Sequence, residues 1–342
     1  DSRSILSSFR SVGDRADAPP SVVEISTDKA PSWVVLESRR ILGGGFSPDS
    51  ALGFQSVRSA ALLGDGSVVL TGTSPPILRI GGPCSTPCRF GRKGEGPGEY
   101  RAIQWVLAAR GDSLTVWDSG VWRLTRLTAD GELLGSSQPT PATGDSLWSL
   151  PRGVFGDGRL LAQGRGGLPA EGGLQINRAD LRVLTRDGQT AAGLATSLPV
   201  GEMSYTPYPG SSAAKPMYSV VEPPFARRGL LSAAGTRWCY VWTGGSELVC
   251  GGVSADSLRV ALDTARVAPV SDTMFIAHLE ATQQLNVLPA DRKNQIRELR
   301  KLWTHSTLPR WSAMIVDPEE RVWLQRFRSP FDSLEQLTVV DH

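Results

Sequence analysis

This 342-residue chain has no run approaching the ~18 consecutive apolar residues that cross a bilayer as a helix. It also has no excess of one charge: 36 Lys and Arg stand against 34 Asp and Glu, a formal net charge of +2. The strong basic field by which a nucleic-acid binder collects phosphate is therefore missing. Histidine is scarce, with His278, His305 and His342 the only three. No G-x-S-x-G elbow is present, so the usual sequence mark of a serine hydrolase is lacking. Glycine is unevenly spread, with all 37 at or before Gly252 and none in the last ninety residues. That gap marks a change of local structure. No charged or apolar leader precedes Asp1, which together with four cysteines predicts an exported chain whose signal peptide has been removed.

What is present is a core and many turns. Hydrophobic residues make up 40% of the chain, and Gly and Pro together fill 61 positions, or 18% against a background of roughly 12%. The cysteines favour two disulfides. Cys239 and Cys250 flank the hairpin-like run Trp238–Thr243, Gly244-Gly245, Ser246–Cys250. If Gly244-Gly245 is a two-residue loop, Cys239 faces Cys250 in a hydrogen-bonded pair, at a separation a disulfide can bridge. Cys84 and Cys88 bracket Ser-Thr-Pro, a loop a local bond would close. Free buried thiols and a metal site are the alternatives; the 239/250 spacing and the few histidines speak against zinc.

A repeat organises the middle of the chain. Its unit is an apolar run, an Asp/Gly turn and a second apolar run. The copies centre on Asp65, Asp112, Asp157, Gly235 and Asp317. The first two intervals are 47 and 45 residues, the period of a four-stranded propeller blade. Weaker hairpins follow at Asp130-Gly131 and Asp187-Gly188, where Asp-Gly is expected as a two-residue loop with both positions at positive φ. The later intervals, 78 and 82 residues, leave room for additional or enlarged blades. Dividing the chain by ~45 residues per blade predicts an all-β, six-bladed β-propeller over residues 33–342, with seven blades the alternative. Within it, 272–304 reads as a helical insertion of two helices, Asp272–Leu288 and Asp291–Thr304. Trp33–Ile41 and Ser333–Val340 read as strands sharing one blade. Residues 1–32, polar and Pro-interrupted, read as an extended N-terminal arm docked on a partner.

Two segments carry a resemblance. Phe90-Gly-Arg-Lys-Gly-Glu-Gly-Pro-Gly-Glu-Tyr100 and Leu308–Leu324 resemble the early connector and the late-blade segment of a bacterial family of extracytoplasmic six-bladed propellers. That family is related in fold to NHL-repeat and TolB-like propellers. Glu319-Glu320 departs from its usual Asp-Gly or Asp-Pro-x-Gly turn, and the repeat is sparse over 190–225. Most members have no assigned activity, so the resemblance implies a fold and a compartment but no catalytic residues.

The chemistry-bearing residues are weighed against simpler roles. Lys93 in the glycine-rich segment is followed by Glu95 and Glu99, which repel phosphate, so that segment reads as a tight turn with Arg92 or Lys93 paired to a glutamate. The turn aspartates read as turn formers, with hard-cation binding the alternative, as in lactonase propellers. The second helix carries Arg292, Lys293, Arg297, Arg300 and Lys301 against Asp291 and Glu298. It is either a solvated face or a docking surface for an anionic partner. Trp117, Trp242 and Trp323 recur after the turn as packing residues, whereas Trp122, Trp148 and Trp303 break the repeat and are candidate partner contacts. With no catalytic, cofactor or metal constellation, the expected role is a periplasmic, non-enzymatic, protein-binding accessory subunit of a larger membrane-associated assembly. An extrinsic subunit of a photosynthetic reaction-centre and antenna complex is one concrete form. A channel-metal hydrolase and a small-molecule or glycan binder are the alternatives.

Overall fold

The computed structural model describes residues 22–24, 57–72, 76–108, 113–139, 149–164, 172–208, 217–253, 257–262, 267–282, 291–302, 305–327, 329 and 337–340. The proposed strand Trp33–Ile41, Asp112, Trp148, Trp303 and His342 lie outside them. The described residues are nearly all β, in a β-propeller arrangement of five blades with two helices. By their contacts they group into two compact units. One is Asp1–Ile25 with Leu161–Val183 and Ala192–His342; the other is Ser26–Leu160 with Leu184–Ala191.

The first described strand is β1 (Val22–Glu24). The first sheet is the meander β2 (Ser59–Leu62), β3 (Val68–Thr71), β4 (Ile77–Gly81) and β5 (Cys84–Phe90). Two short parallel strands follow, β6 (Arg92–Lys93) and β7 (Glu99–Tyr100). The second sheet is β8 (Ile103–Ala108), β9 (Leu114–Asp118), β10 (Arg123–Leu127) and β11 (Leu133–Ser137). The third runs β12 (Ser149–Val154), β13 (Leu160–Gly164), β14 (Gly173–Leu184), β15 (Thr190–Pro207) and β16 (Tyr218–Val221). The fourth holds β17 (Gly229–Ala234), β18 (Arg237–Trp242), β19 (Glu247–Gly252) and β20 (Ser257–Ala261). Helices α1 (Asp272–Ala281) and α2 (Arg292–Lys301) precede the last sheet, β21 (Trp311–Val316), β22 (Val322–Arg326) and β23 (Leu337–Val340).

Each copy of the sequence repeat opens one sheet, so five copies make five blades and the expectation of six is corrected. The residues assigned to a further blade are spent elsewhere. Strands β14 and β15 run for 12 and 18 residues, which absorbs the 157–235 interval. Two helices absorb much of the next one. Three residues of the arm, β1, pair in parallel with β20, with Val23 opposite Val260.

The turns also differ from expectation in one respect. In Leu63–Gly66 the Gly66 N–H donates to the Leu63 carbonyl, and Leu63 N–H then donates to Ser67. Gly66, Gly131, Gly158 and Gly188 have φ near +80°, while their aspartates do not. These are three-residue loops in which only the glycine needs the left-handed region. The aspartate instead caps the turn, as when Asp65 Oδ1 accepts from Ser67 N–H at 2.9 Å.

Both units have strand-alternating apolar cores. In one, Val69, Ile77, Tyr100, Ile103, Val116 and Leu127 pack the first two sheets together. Arg79 crosses the same seam, its guanidinium buried and bonded to Asp65 and Asp130 at 2.6 Å each. In the other, Val241, Leu248, Val260, Trp311, Val322 and Leu324 join the last two sheets. A separate small core holds the helices, with Phe275 and Leu279 of α1 packed on Phe225 and Leu308.

Candidate functional site

The turn aspartates do structural work. Asp157 accepts from Arg159 N–H at 2.9 Å, and Asp317 from Arg321 N–H at 2.9 Å and Trp323 Nε1 at 2.8 Å. Among the described residues no three His, Cys, Asp or Glu side chains converge as a metal-binding group. The glycine-rich segment is a turn, as its charges require. Arg92 Nε donates to Glu99 Oε1 at 2.7 Å and Gly96 N–H to Glu99 Oε2 at 2.8 Å. The Gly96 N–H and then Arg92 hold the Glu99 carboxyl below its ordinary range. Gly91, at φ +77°, lies where a Cβ would fall 2.8 Å from the Tyr100 ring.

Both disulfides are present, Cys84–Cys88 and Cys239–Cys250. Cys239 faces Cys250 in the register expected. Their Cα atoms are 4.1 Å apart, the narrow type of pair, because the turn hydrogen bond runs from Gly245 N–H to Trp242 and shifts the ladder's alternation.

The basic face of α2 is largely matched by carboxylates. Arg292 pairs with Glu280, Arg300 with Asp272 at 2.9 Å and Lys301 with Glu298 at 2.8 Å. Arg297 reaches Asn294 at 2.8 Å and lies 3.9 Å from Glu298. Lys293 is exposed and carries no ion pair among the described residues. Trp122 packs edge-on against Trp117, ring centroids 5.6 Å apart.

Two features stand out that the sequence patterns missed. The first is a buried carboxylate, Glu202 on β15, whose Oε2 accepts from Arg227 N–H at 2.8 Å and lies 2.7 Å from His305 Nε2. This pair orients the imidazole beside the helices, while the carboxylate is also committed to the backbone. The second is an apolar sheet face. Asn177 Nδ2 donates to Tyr205 Oη at 2.8 Å, so those two side chains share one face of β14 and β15. Alternation then places Leu174 and Ile176 on the opposite face. The β15–β16 register sets Tyr205 against Val220 and Ser204 against Val221, which puts Val221, Met217 and Tyr208 on that opposite face too. All five are exposed, from 38% at Val221 to 52% at Tyr208. Leu-x-Ile was legible at 174–176, but Tyr208, Met217 and Val221 fall within 190–225, where the repeat is sparse.

No family model matches the chain, and no curated protein matches it in sequence. Solved structures similar to it are remote. A member of the DUF4221 family from Bacteroides vulgatus is 11% identical, covering 84% of this chain and 79% of its own, with a TM-score of 0.44. Virginiamycin B lyase from Staphylococcus aureus is 8% identical, covering 82% and 83%, with a TM-score of 0.34. A putative exported protein from Bacteroides fragilis is 10% identical, covering 75% and 88%, with a TM-score of 0.32. At such identities and scores nothing of their activities carries over.

Proposed function

We propose that this chain is an extracytoplasmic, non-enzymatic β-propeller that binds another protein, as an accessory subunit of a larger membrane-associated assembly. The observation that carries the reading is the apolar face of Leu174, Ile176, Tyr208, Met217 and Val221. Its exposed area is on the order of 400–500 Å², the size of the largest apolar patch on a typical monomer, which is often functional. A standard interface buries about 800 Å² per partner, so this face suits part of one, with Thr206 and Ser219 set between the apolar side chains. Two disulfides favour an oxidising compartment. No described helix is long and apolar enough to cross a membrane.

The test places a photo-crosslinking residue at Ile176 in the native host and compares wild type with an Ile176→Asp/Val221→Asp variant by size fractionation. The expected result is one discrete adduct at position 176 and co-fractionation with a complex. The double variant, folded as judged by circular dichroism, elutes alone. A wild-type chain that runs alone and forms no adduct overturns the reading.

A further inference from the structure

The α1–α2 segment is an excursion closed at its base. Val270 N–H donates to the Ser306 carbonyl at 3.0 Å and Leu308 N–H to Ala268 at 3.1 Å. Beyond that base the segment rests on the loop 222–228. Here Phe225 holds a positive φ of 57°, a conformation that a bulky residue keeps only when its surroundings impose it. Two histidines meet this loop and the strand beneath it. His278, on α1, stacks on the Phe225 ring, centroids 4.2 Å apart and planes 28° from parallel. His305, after α2, meets Glu202, which also holds Arg227 N–H.

We infer that the α1–α2 segment is an acid-released cover, latched by neutral His278 on Phe225 and retained at its base by the His305–Glu202 pair. Histidine is the side chain whose charge changes between pH 5 and 8, and the ring that works the latch is His278. His305 Nε2 lies 2.7 Å from the Glu202 carboxylate, a contact that holds the base of the segment. An imidazolium at His278 must sit half-buried beside Phe275 and Leu279, and Arg228 adds a like charge. Burial and then Arg228 hold His278 below the usual histidine value. The face of Phe225 returns part of that cost to a cation, and the remainder favours release.

The other charges around His278 are already paired. Arg228 lies 2.5 Å from Glu222, Asp272 pairs with Arg300, and Glu280 with Arg292. At the base, Arg227 Nη2 donates to Thr307 at 3.3 Å. The sign follows from proton linkage. With its folded-state value depressed, His278 stabilises the latched state above about pH 6.5 and loses that contribution as pH falls below it. Release would uncover Phe225, Phe275 and Leu279, which pack together beneath the closed segment.

Hydrogen exchange by mass spectrometry on the full chain between pH 7.5 and 5.0, corrected for intrinsic rates, tests this. Peptides from 272–281 and 292–301 are expected to gain up to tenfold in open population per pH unit once His278 titrates, while 103–118 stays unchanged. His278→Phe, or His278→Tyr if that variant misfolds, keeps the stack, cannot protonate and abolishes the response. His305→Gln leaves the acid response in place. A wild type with no helix-specific change across this range, or an aromatic variant that responds as wild type does, overturns the inference.

Discussion

Glu320 stands where the other hairpins carry glycine, and its φ of +66° is left-handed. For a residue with a Cβ that conformation costs about 1–2 kcal/mol. Compensation comes from the side chain, whose Oε1 accepts from Thr236 N–H at 2.6 Å and from Thr236 Oγ1 at 2.7 Å. It thereby ties the last sheet to the fourth. Hydrogen bonds to a charged acceptor are worth about 1.5–3 kcal/mol each when buried. With the Glu320 side chain 30% exposed, about 1 kcal/mol each is the better figure. Glu320→Ala removes both bonds and keeps the strain, for a loss of about 2 kcal/mol. Glu320→Gly removes the same bonds but relieves the strain, for a loss of about 1 kcal/mol or less. The larger deletion is thus the milder one.

Gly235, at φ +56°, completes the interlock, since a Cβ there would fall 2.4 Å from Glu320 Oε1. Gly235→Ala is therefore expected to cost less in the Glu320→Ala background than in wild type, with a coupling of about 1 kcal/mol. Urea unfolding followed by tryptophan fluorescence measures wild type and all four variants, and an unchanged m-value licenses the comparison. If Glu320→Gly is as damaging as Glu320→Ala, the strain is not there to be relieved and the reasoning fails.

Asp118 is fully buried and accepts from the backbone N–H groups of Arg101, Ala102 and Gly120 at 2.7, 2.9 and 2.8 Å. Asp118→Ala is expected to cost about 3 kcal/mol, with faster amide exchange at residues 102 and 120. Asp118→Asn, which turns a donor toward one of those N–H groups, falls between wild type and alanine. Opening Cys239–Cys250 by a double Cys→Ala change removes a cross-link over a separation of 11 residues and is expected to cost about 2–3 kcal/mol. Calorimetry under matched conditions checks this, and no fall in Tm would place the stability of the fourth sheet elsewhere.

The hairpins were readable in the sequence because their physics is local. An apolar alternation, an aspartate that caps and a glycine that bends fall within twelve residues, and each of the five copies opens a sheet. The 239–250 register was readable for the same reason, since counting outward from Gly244-Gly245 needs no distant partner. Blade number was not readable, because it was inferred from chain length, which does not distinguish a new blade from strands that overrun. Nothing in the composition of 190–207 sets where β15 stops.

The two surfaces were harder for a further reason. Glu202 and His305 are 103 residues apart, so neither predicts the other. The cations of α2 look like a docking face when counted along one helix, but Asp272 and Glu280 on α1 answer two of them. A charge count along one element measures attraction to outside partners only if nothing inside the fold reaches it first. The exposed face on β14–β16 has the opposite property. Its five apolar side chains come from β14, from β16 and from the residues that flank β15 and β16, and their exposure is a product of the fold alone.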